Sequence, residues 1–565
     1  MPFARLANRA RLSSAARVIL GIAAFGISAA TPLAAQRVLG PSPDATTLRR
    51  GTLRTSLESE SILLRGRWAD GESQPLGAGL GGTLDFRRAP GLIPLQGDLI
   101  ALGLAVESAS LGDAQLDLRQ RLAVTRLGFE YGLSDRITLR ARAPFVRVRA
   151  EASLGLDASS ASAGLSPGLF GTGVFATNRT IVDAYDAAAS ALTARRDDCV
   201  NNAGAHPECA TILAEAVQVD AAIARANQLA GALASIYGAD GIGPGRRYVP
   251  LAGSALESAI GGVATALRSD YTRWGAPIAV SGTGLPLGAQ APIPADELAG
   301  FYTDPAPSGF ETEPLRRSAR QDLGDVDLGV TVKLFDAFDG DSARLAADRF
   351  GLRQSVALTY RLGGGNFDLP DNIIDLGTGS GHDAIALHSL TDIIVNARFW
   401  ATVSIGWARG AEHERTLRLP VSRGDELVNP FRFTRVAITP ADMYEVRIAP
   451  RWQFNDYLGV GGEWRFRSRG EDGVRAIDPA AMIVIPGATI NYGDGGIQTP
   501  SDANEHRWAW TFSYSTVGSA SRGVARLPLE LLYTHEQSIG SSRGIVPRRW
   551  EDRVQIRVYT RLFGR

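Results

Sequence analysis

The chain has very little cysteine, methionine and lysine, and it has no long apolar run beyond residue 35. Two cysteines among 565 residues are too few for a metal site ligated by cysteines alone. Without an apolar run of about 20 residues, no transmembrane helix is expected downstream. The 59 basic and 59 acidic side chains cancel, which argues against a nucleic-acid-binding surface. Two classes remain, a soluble protein and a membrane protein that crosses with β-strands.

The first 35 residues have the pattern of a secretory signal peptide. Four arginines precede an apolar stretch from Val18 to Ala30, and the small residues of PLAAQ follow. This apolar stretch is shorter than the roughly 20 residues that a membrane anchor needs. We therefore predict cleavage after Ala35 and export. An oxidising compartment then favours a disulfide between Cys199 and Cys209 over two free thiols.

Strict alternation of apolar and polar side chains recurs from Gly324 onward. In DVDLGVTVKLF, Val326, Val330 and Leu334 share one face, while Asp327 and Lys333 share the other. A helical stripe with a period of 3.6 residues does not fit this segment. Each alternating segment has roughly the ten residues that a tilted barrel strand needs to cross a membrane.

Turn lengths favour a transmembrane barrel over a soluble sandwich. The segment YEVRIAPRWQFNDYLGVGGEWRFRSR forms a hairpin that turns at Asn455 and Asp456, and short turns alternate with long ones along the chain. Outer-membrane barrels combine tight periplasmic turns with long outer loops. We predict an all-β fold, a transmembrane antiparallel up-and-down barrel of about 12–14 strands. The earliest strands are predicted near 57–68, 80–88 and 98–107.

The alternation breaks between residues 151 and 320, where the composition becomes helical. Ile212 and Val219 fall near one helical face. We therefore predict that residues 36–150 form the first barrel strands and residues 321–565 the remaining ones. The segment 151–320 is predicted to be a helical, Ala-, Gly- and Pro-rich insertion on the outer side of the barrel or in its mouth.

Charged side chains occupy the opposite face of the alternating segments. An arginine that faces lipid at mid-membrane costs about 2–4 kcal/mol, so we expect the charged face to point into the lumen. Such a wall forms either a polar pore that favours anionic or aromatic acidic solutes, or a structural lattice of arginine–carboxylate pairs that conducts nothing. The candidate pore-lining residues are Lys333, Arg361, Glu445, Arg447, Arg451, Glu463, Arg465, Arg467, Glu530, Arg553, Arg557 and Arg561.

The stretch DNIIDLGTGSGHDAIAL, residues 371–387, has the glycine spacing of a nucleotide-binding turn. Such a turn requires a following helix. Here AIALHSLTD continues with two-residue alternation, so a glycine-rich outer turn that enters a strand is the better interpretation. The acidic residues of this loop favour a solvated turn over a calcium site. They are Asp368, Asp371, Asp375 and Asp383.

Signals for catalysis are weak. GLSPG, residues 164–168, has the spacing of a nucleophile elbow, but Pro167 lacks the backbone N–H that the oxyanion hole of such an elbow needs. The six histidines show no metal-ligand spacing. We predict no enzyme activity, no cofactor and no metal.

Three segments resemble recurring parts of the outer-membrane family named for the meta-pathway of phenol degradation. They are YGLSDRITLRARAPFV, GDVDLGVTVKLF and the DLGTGSG passage, and the resemblance covers roughly 115–150 and 320–565. It implies a barrel in a Gram-negative outer membrane with a role in uptake of small, often aromatic, compounds. The helical insertion departs from the simpler pattern of that family, which puts an open pore in doubt.

A channel or transporter for small solutes, aromatic or anionic ones among them, is the first functional prediction. The alternatives are a transporter of hydrophobic compounds similar to the fatty-acid type, and a non-conducting structural or surface-binding barrel. The fatty-acid type places a plug before its first strand, for which only residues 36–51 are available. Expected partners are outer-membrane lipid, a small solute and the barrel-assembly machinery, which would engage the C-terminal strand; nucleic acid is not expected.

Overall fold

The described strands of this computed structural model form one large sheet and three small ones. The predicted signal peptide lies outside the described residues. These are 42–86, 88–104, 109–170, 173–238, 246–305, 309–339, 349–420, 426–428, 433–477, 483–485, 488–490, 501–521 and 523–562. The strands are β1 (Thr52–Ala69), β2 (Glu72–Pro75), β3 (Gly82–Asp85), β4 (Ser110–Ser134), β5 (Ile137–Asp157), β6 (Ala163–Leu165), β7 (Tyr248–Pro250), β8 (Arg317–Leu323), β9 (Val326–Asp336), β10 (Gly351–Leu362), β11 (Ala384–Ile394), β12 (Phe399–Gly410), β13 (His413–Arg418), β14 (Phe433–Thr439), β15 (Met443–Gln453), β16 (Leu458–Arg469), β17 (Gly473–Ala476), β18 (Ile483–Ile485), β19 (Ala488–Ile490), β20 (Ala503–Ser515), β21 (Leu529–Gly540) and β22 (Ile545–Arg561).

Twelve of the described strands close into an antiparallel barrel. Going round the ring, they are β1, β4, β5, β9, β10, β11, β12, β15, β16, β20, β21 and β22. Closure occurs at β1, which pairs with β4 on one side and β22 on the other. In a closed ring each strand bonds two neighbours, which is the arrangement that allows strands to cross a membrane. The predicted fold class is confirmed.

The two ends of the barrel differ. Thr52, where β1 begins, pairs with Arg561, where β22 ends, and short turns at 135–136, 395–398 and 454–457 lie at this same end. We call it the terminal end. The insertion and most of the long connections lie at the opposite end, the loop end. This asymmetry matches the turn pattern in the sequence.

The earliest strand predictions were partly wrong. The segment near 57–68 belongs to β1, whereas β3 is a four-residue strand that pairs only with β4 and stays outside the ring. The segment predicted as a strand from residue 98 is the end of a helix, Ile93–Ala101. This helix buries Leu95 and Leu99, so the apolar residues there serve a helical face. Without the two segments near 80–88 and 98–107, the described ring has twelve strands, the lower bound of the predicted range.

The helical segments lie mainly between β5 and β8. Ser254 caps the helix Ala255–Arg273 by accepting a hydrogen bond from the Glu257 backbone N–H at 3.1 Å. None of the described helices is both long and apolar enough to cross a membrane. The helices are α1 (Ile93–Ala101), α2 (Gly173–Asn201), α3 (Cys209–Ala214), α4 (Ala216–Tyr237), α5 (Ala255–Arg273), α6 (Ala295–Thr303) and α7 (Val517–Ser521).

The insertion folds into a helical cap at the loop end. The cap has an apolar core in which Tyr185, Leu233, Tyr271 and Trp274 are fully or almost fully buried. This core continues onto the barrel through Ala114 of β4, with inward-facing Leu154 and Leu156 of β5 packed against it. Cys199 and Cys209 join α2 to α3 through a disulfide, which confirms the pairing expected for an exported chain.

The two faces of the barrel wall have opposite chemistry. Successive residues of a strand point to opposite sides, so one alternating pattern supplies both faces. Outward positions carry large apolar side chains that the chain itself leaves exposed, as the outer face of a transmembrane barrel does. Examples are Leu57, Phe129, Leu139, Leu328, Leu358, Leu387, Ile405, Ile448, Trp452, Phe512, Leu531 and Ile556.

Candidate functional site

The charged side chains singled out in the sequence lie at inward-facing strand positions. Glu463 and Glu530 are each only 1% exposed, and Arg451 is 3% exposed. Arg361, near the loop end of β10, is the most accessible of the set, with a side chain 47% exposed. Arg561 marks the terminal rim, where β22 ends. A role for these residues in lining a conducting pore stays a prediction.

Inside the barrel these residues form a network of ion pairs. Arg465 lies 2.7 Å from Glu463 and 3.2 Å from Glu536. Arg507 contacts the same Glu536 at 3.1 Å and Glu505 at 2.6 Å. We call this network the charged lattice. Its members are Arg54, Glu58, Glu60, Arg126, Glu130, Glu445, Arg447, Glu463, Arg465, Arg467, Glu505, Arg507, Glu530, Glu536, Arg549, Glu551 and Arg557.

Ten of the 17 lattice residues were not among the candidates predicted from the sequence. The side chain of Arg126 contacts both Glu58, at 2.5 Å, and Glu60. Arg54 reaches across to Glu130. In TLRTSLESES every inward residue of β1 is polar, which is the pattern of a lumen face. The outward residues include both apolar and polar side chains, so they do not indicate a lipid face.

Residues 42–51, which we call the plug segment, lie inside the lumen at the terminal end. Arg451 donates to the Asp44 carboxylate at 2.9 Å and to the Ser42 carbonyl at 3.0 Å. Ser355 Oγ donates to the Ala45 carbonyl at 2.5 Å, and Ala45 is completely buried. The segment is therefore held by polar contacts to β10 and β15, on one side of the barrel wall.

Other contacts hold the C-terminal half of the plug segment. The Leu48 backbone N–H donates to Thr138 Oγ1 of β5 at 2.8 Å. The Leu48 side chain forms a small apolar cluster with Val517 of α7 and Tyr559 of β22. Since α7 lies in the turn between β20 and β21, the terminal end is covered by both the plug segment and this turn. The sequence offered residues 36–51 as the only possible plug, and the structure places residues 42–51 there.

Near the loop end, the inner face of β1, β4 and β5 changes from charged to apolar. On β1 the inward residues Glu58 and Glu60 are followed by Ile62 and Leu64. The same change occurs on β4, from Arg126 to Val124 and Leu122. We call this surface the apolar wall. Its residues are Ile62, Leu64, Leu116, Leu118, Leu122, Val124, Val146 and Val148.

The loop 363–383 folds inward against the apolar wall. Ile374, which is 1% exposed, packs with Leu116 and Leu118, and Leu376 packs against the cluster of Val124 and Val146. The Ile374 carbonyl accepts a hydrogen bond from Gln120 Nε2 at 2.9 Å. The sequence predicted an outer turn entering a strand. The strand β11 is confirmed, but the turn is an ordered segment that occupies the barrel mouth.

The glycines of this loop allow its two arms to pack against each other. A Cβ on Gly365 would lie 2.5 Å from the Gly379 Cα, and one on Gly379 would lie 2.4 Å from Asp325 Oδ1. A Cβ on Gly377 would meet the Asn366 carbonyl at 2.6 Å. The spacing that resembles a nucleotide-binding turn thus serves close backbone contact within the loop.

Asp325, in the turn between β8 and β9, ties the two arms of the loop together. Its carboxylate accepts hydrogen bonds from the Gly365 backbone N–H at 3.0 Å, the Ser380 backbone N–H at 2.6 Å and Ser380 Oγ at 2.7 Å. Burial acts to raise the pKa of Asp325, but these hydrogen bonds outweigh it and hold the pKa below its usual value. The loop is therefore anchored to an ionised side chain.

The outer-loop acids are engaged by arginines or by neighbouring donors. Asp368 lies 3.0 Å from Arg415, and Asp371 lies 2.7 Å from Arg418. Asp375 lies 3.5 Å from Arg320. Asp383 accepts from Tyr360 Oη at 2.6 Å and from the Gly363 backbone N–H at 2.9 Å. Within the described ranges, no group of three or more metal-ligating side chains is assembled.

A cavity of about 470 Å³ remains between the apolar wall and the loop. Ile62, Leu64, Leu122, Val124 and Val146 line one side of it. Residues 376–379, Pro144, Val546 and Pro547 line the rest, together with four arginines and four carboxylates. These charged residues are Arg126, Arg361, Arg507, Arg549, Asp325, Asp327, Asp368 and Glu505.

Comparison with known proteins gives weak structural likeness only. No family model and no curated protein matches the chain. An outer membrane channel from Pseudomonas putida F1 is 8% identical at a TM-score of 0.40, with 92% of this chain and 99% of that chain covered. The P. putida toluene transporter TodX is 10% identical at a TM-score of 0.24, with 91% of each chain covered. A Pseudomonas aeruginosa FadL homologue is 8% identical at 0.24, also with 91% of each covered. All three TM-scores lie below 0.5.

Proposed function

We propose that the protein is an outer-membrane barrel that passes small solutes and rests in a closed state. The observation that carries the proposal is the closed ring of twelve strands, with exposed apolar side chains outside and a polar lumen inside. Only a lipid surround makes such an outer face favourable over many strands, because contiguous exposed apolar surface is unusual in soluble monomers. Outer-membrane lipid and the barrel-assembly machinery are the partners that this proposal requires.

The plug segment and the loop 363–383 support a closed resting state. The plug segment occupies the lumen at the terminal end, and the loop occupies the mouth at the loop end. Hydrogen bonds and ion pairs help to attach both segments, as between Arg451 and Asp44 and between Asp325 and Ser380. Displacement of both segments, together with the turn that carries α7, would leave a passage lined by the charged lattice and the apolar wall.

The lattice also supports a second candidate, a structural barrel that conducts nothing. Arg465 and Arg507 are each held by two carboxylates, which leaves little reason for a solute to replace them. The choice between the two candidates depends on whether the plug segment leaves the lumen. The family resemblance favours the first candidate and small, often aromatic, solutes. A transporter of the fatty-acid type remains compatible with the plug.

Bilayer conductance of the purified protein tests the proposal. We expect the full-length chain to show small or rare conductance steps, and a chain that lacks residues 42–50 to show larger and more frequent ones. A chain that lacks residues 160–310, the helical cap, is the second arm and reports whether the cap restricts entry. Absence of conductance in all three chains would support the structural barrel.

Folding of each chain is checked independently by heat-modifiable gel mobility. A folded barrel migrates differently before and after boiling. The variant Arg119→Gln serves as a matched control, since Arg119 pairs with Asp117 on the exposed face of β4 and both side chains are about 60% exposed. Its conductance should equal that of the unaltered chain.

A further inference from the structure

The apolar wall and the cavity beside it form a surface that a polar lumen does not need. Inward positions of a membrane barrel are ordinarily polar, because the outward positions supply the contact with lipid. Here Ile62 and Leu64 continue the inward series of Glu58 and Glu60. The loop covers part of the wall, and about 470 Å³ remains unfilled. A volume of this size is typical of small-molecule sites.

The apolar part of the cavity is aliphatic. The side chains of Ile62, Leu64, Leu122, Val124 and Val146 supply it, and Val546 of β22 adds to it. The described residues that line the cavity include no aromatic ring on which a planar ligand could stack. An aliphatic body of a ligand would bury its surface here, since transfer of apolar surface out of water is favourable and requires no directional partner.

The polar part of the cavity offers unused arginine donors. Arg126 contacts both Glu58 and Glu60 through Nη1 alone. Arg361 uses Nε and Nη2 on Asp327, at 2.8 and 3.4 Å. Within the described part of the chain, no hydrogen bond engages Nη2 of Arg126 or Nη1 of Arg361. Guanidinium donors bind carboxylates more strongly than neutral acceptors.

The carboxylates of the cavity are already occupied. Asp325 accepts three hydrogen bonds from the loop, and Glu505 accepts from Arg507 and Ser538. Asp327 is paired with Arg361, and Asp368 with Arg415. A cationic head group would therefore have to displace an arginine, whereas an anionic head group would find donors free.

We infer that this cavity binds a medium-chain aliphatic monocarboxylate, with the chain on the apolar wall and the carboxylate at Arg126 and Arg361. The inference rests on the proposed function and narrows it to one solute class. It predicts that both halves of the ligand are needed. An alcohol lacks the charge, a short-chain acid lacks the apolar body, and an aromatic acid has a shape that the aliphatic lining does not favour.

Equilibrium binding of labelled octanoate to the full chain in lipid nanodiscs tests the site. We expect saturable binding that Val124→Trp weakens at least ten-fold, because the indole would fill the cavity. Thr125→Trp is the matched control, since Thr125 is the next residue of β4 and faces outward. Leu122→Trp is a second filling variant in case the first misfolds, and gel mobility verifies the fold of each. Equal binding by the filling variants and the control would overturn the site.

Head-group selectivity tests the arginine side. Octanoate should compete at least ten-fold better than octanol, octylammonium or benzoate. Arg361→Gln should reduce the preference for octanoate over octanol about ten-fold, whereas Asp327→Asn, which removes the partner of the same arginine, should retain it. If octanol competes as well as octanoate, the carboxylate assignment is wrong; if benzoate does, the aliphatic assignment is wrong.

Conductance separates failure of this inference from failure of the proposed function. A barrel that conducts but shows no saturable octanoate binding would overturn the inference and leave the proposed function standing. Saturable binding that Val124→Trp abolishes, in a barrel without conductance, would support the site and count against the channel.

Discussion

The charged lattice and the apolar wall are two regions of one lumen, built by the same alternation, yet they differ in what occupies them. In the lattice, arginines and carboxylates fill the space with their own pairs. At the wall, aliphatic side chains cannot pair, so a loop covers part of the surface and a cavity remains. In the charged lattice the paired side chains themselves fill the lumen. At the apolar wall the side chains leave space that a loop or a ligand can occupy.

The largest effect is expected at the ion pair that joins the plug segment to β15. Arg451→Gln removes the partner of Asp44, and the two side chains are only 3% and 5% exposed. Loss of one member of a buried pair costs about 3–5 kcal/mol, because the other charge is left without compensation. We expect this loss in the free energy of unfolding measured with denaturant in detergent, together with more frequent bilayer openings.

The double variant Arg451→Gln with Asp44→Asn tests the origin of this effect. With both charges removed, much of the stability should return. If the double variant is as unstable as the single one, the pair is not the source of the loss. The exposed pair of Arg119 and Asp117 sets the scale, and Arg119→Gln should cost less than about 1 kcal/mol.

The next effect contrasts the lumen with the outer face of the same wall. Leu358→Arg places a charge at an outward position of β10 that is 41% exposed. If lipid surrounds the barrel, the cost near mid-membrane is about 2–4 kcal/mol. Gln354→Arg lies on the same face but nearer the terminal end, where the cost should fall to about 0–1 kcal/mol. Equal costs in denaturant unfolding would contradict a lipid-facing position for β10.

The late strands could be predicted from the sequence because their two faces differ sharply. In β9 and β16 each outward residue is apolar or small and most inward residues are charged or small, so period and face are both explicit. On β1 the outward series includes Thr55, Ser59 and Ser61, which hides the lipid face. The helix Ile93–Ala101 was misread for a related reason, since a short apolar run fits a buried helix as well as a strand.

The arrangement inside the lumen lay beyond the sequence. Alternation reveals that Arg451 points inward but does not reveal that Asp44, 407 positions away, is its partner. The plug segment has no periodic pattern, and its contacts depend on barrel closure. The inward fold of residues 363–383 depends likewise on Ile374 reaching β4 and on Asp325 reaching Ser380. Glycine spacing indicated a tight turn, but not its direction.

A smaller effect is expected in the cap above the apolar wall. Cys199→Ser removes the disulfide, which spans a sequence separation of 10 residues. Loss of such a short cross-link costs about 2–3 kcal/mol. Because the cysteines lie in the cap, hydrogen exchange should rise in α2 and α3 while exchange in the barrel strands stays unchanged. A shift in the heat-modifiable mobility of the barrel would show that cap and barrel unfold as one unit.

The smallest effect concerns the loop that covers the apolar wall. Gly379→Ala would place a Cβ 2.4 Å from Asp325 Oδ1, so the two arms of the loop must separate. Overpacking of this kind costs about 1–3 kcal/mol. Hydrogen exchange of residues 363–383 should rise about ten-fold or more, since about 1.4 kcal/mol corresponds to ten-fold in an opening equilibrium.

Gly364→Ala is the matched control for the loop, because its Cβ would meet nothing closer than 3.7 Å. Exchange in this variant should stay as in the unaltered chain. If both alanines raise exchange equally, glycine serves backbone freedom along the whole loop. If Gly379→Ala alone raises exchange, close packing at Asp325 holds the loop on the apolar wall. The same variant should then speed the exchange of bound octanoate, while the plug segment stays held by the pair of Arg451 and Asp44.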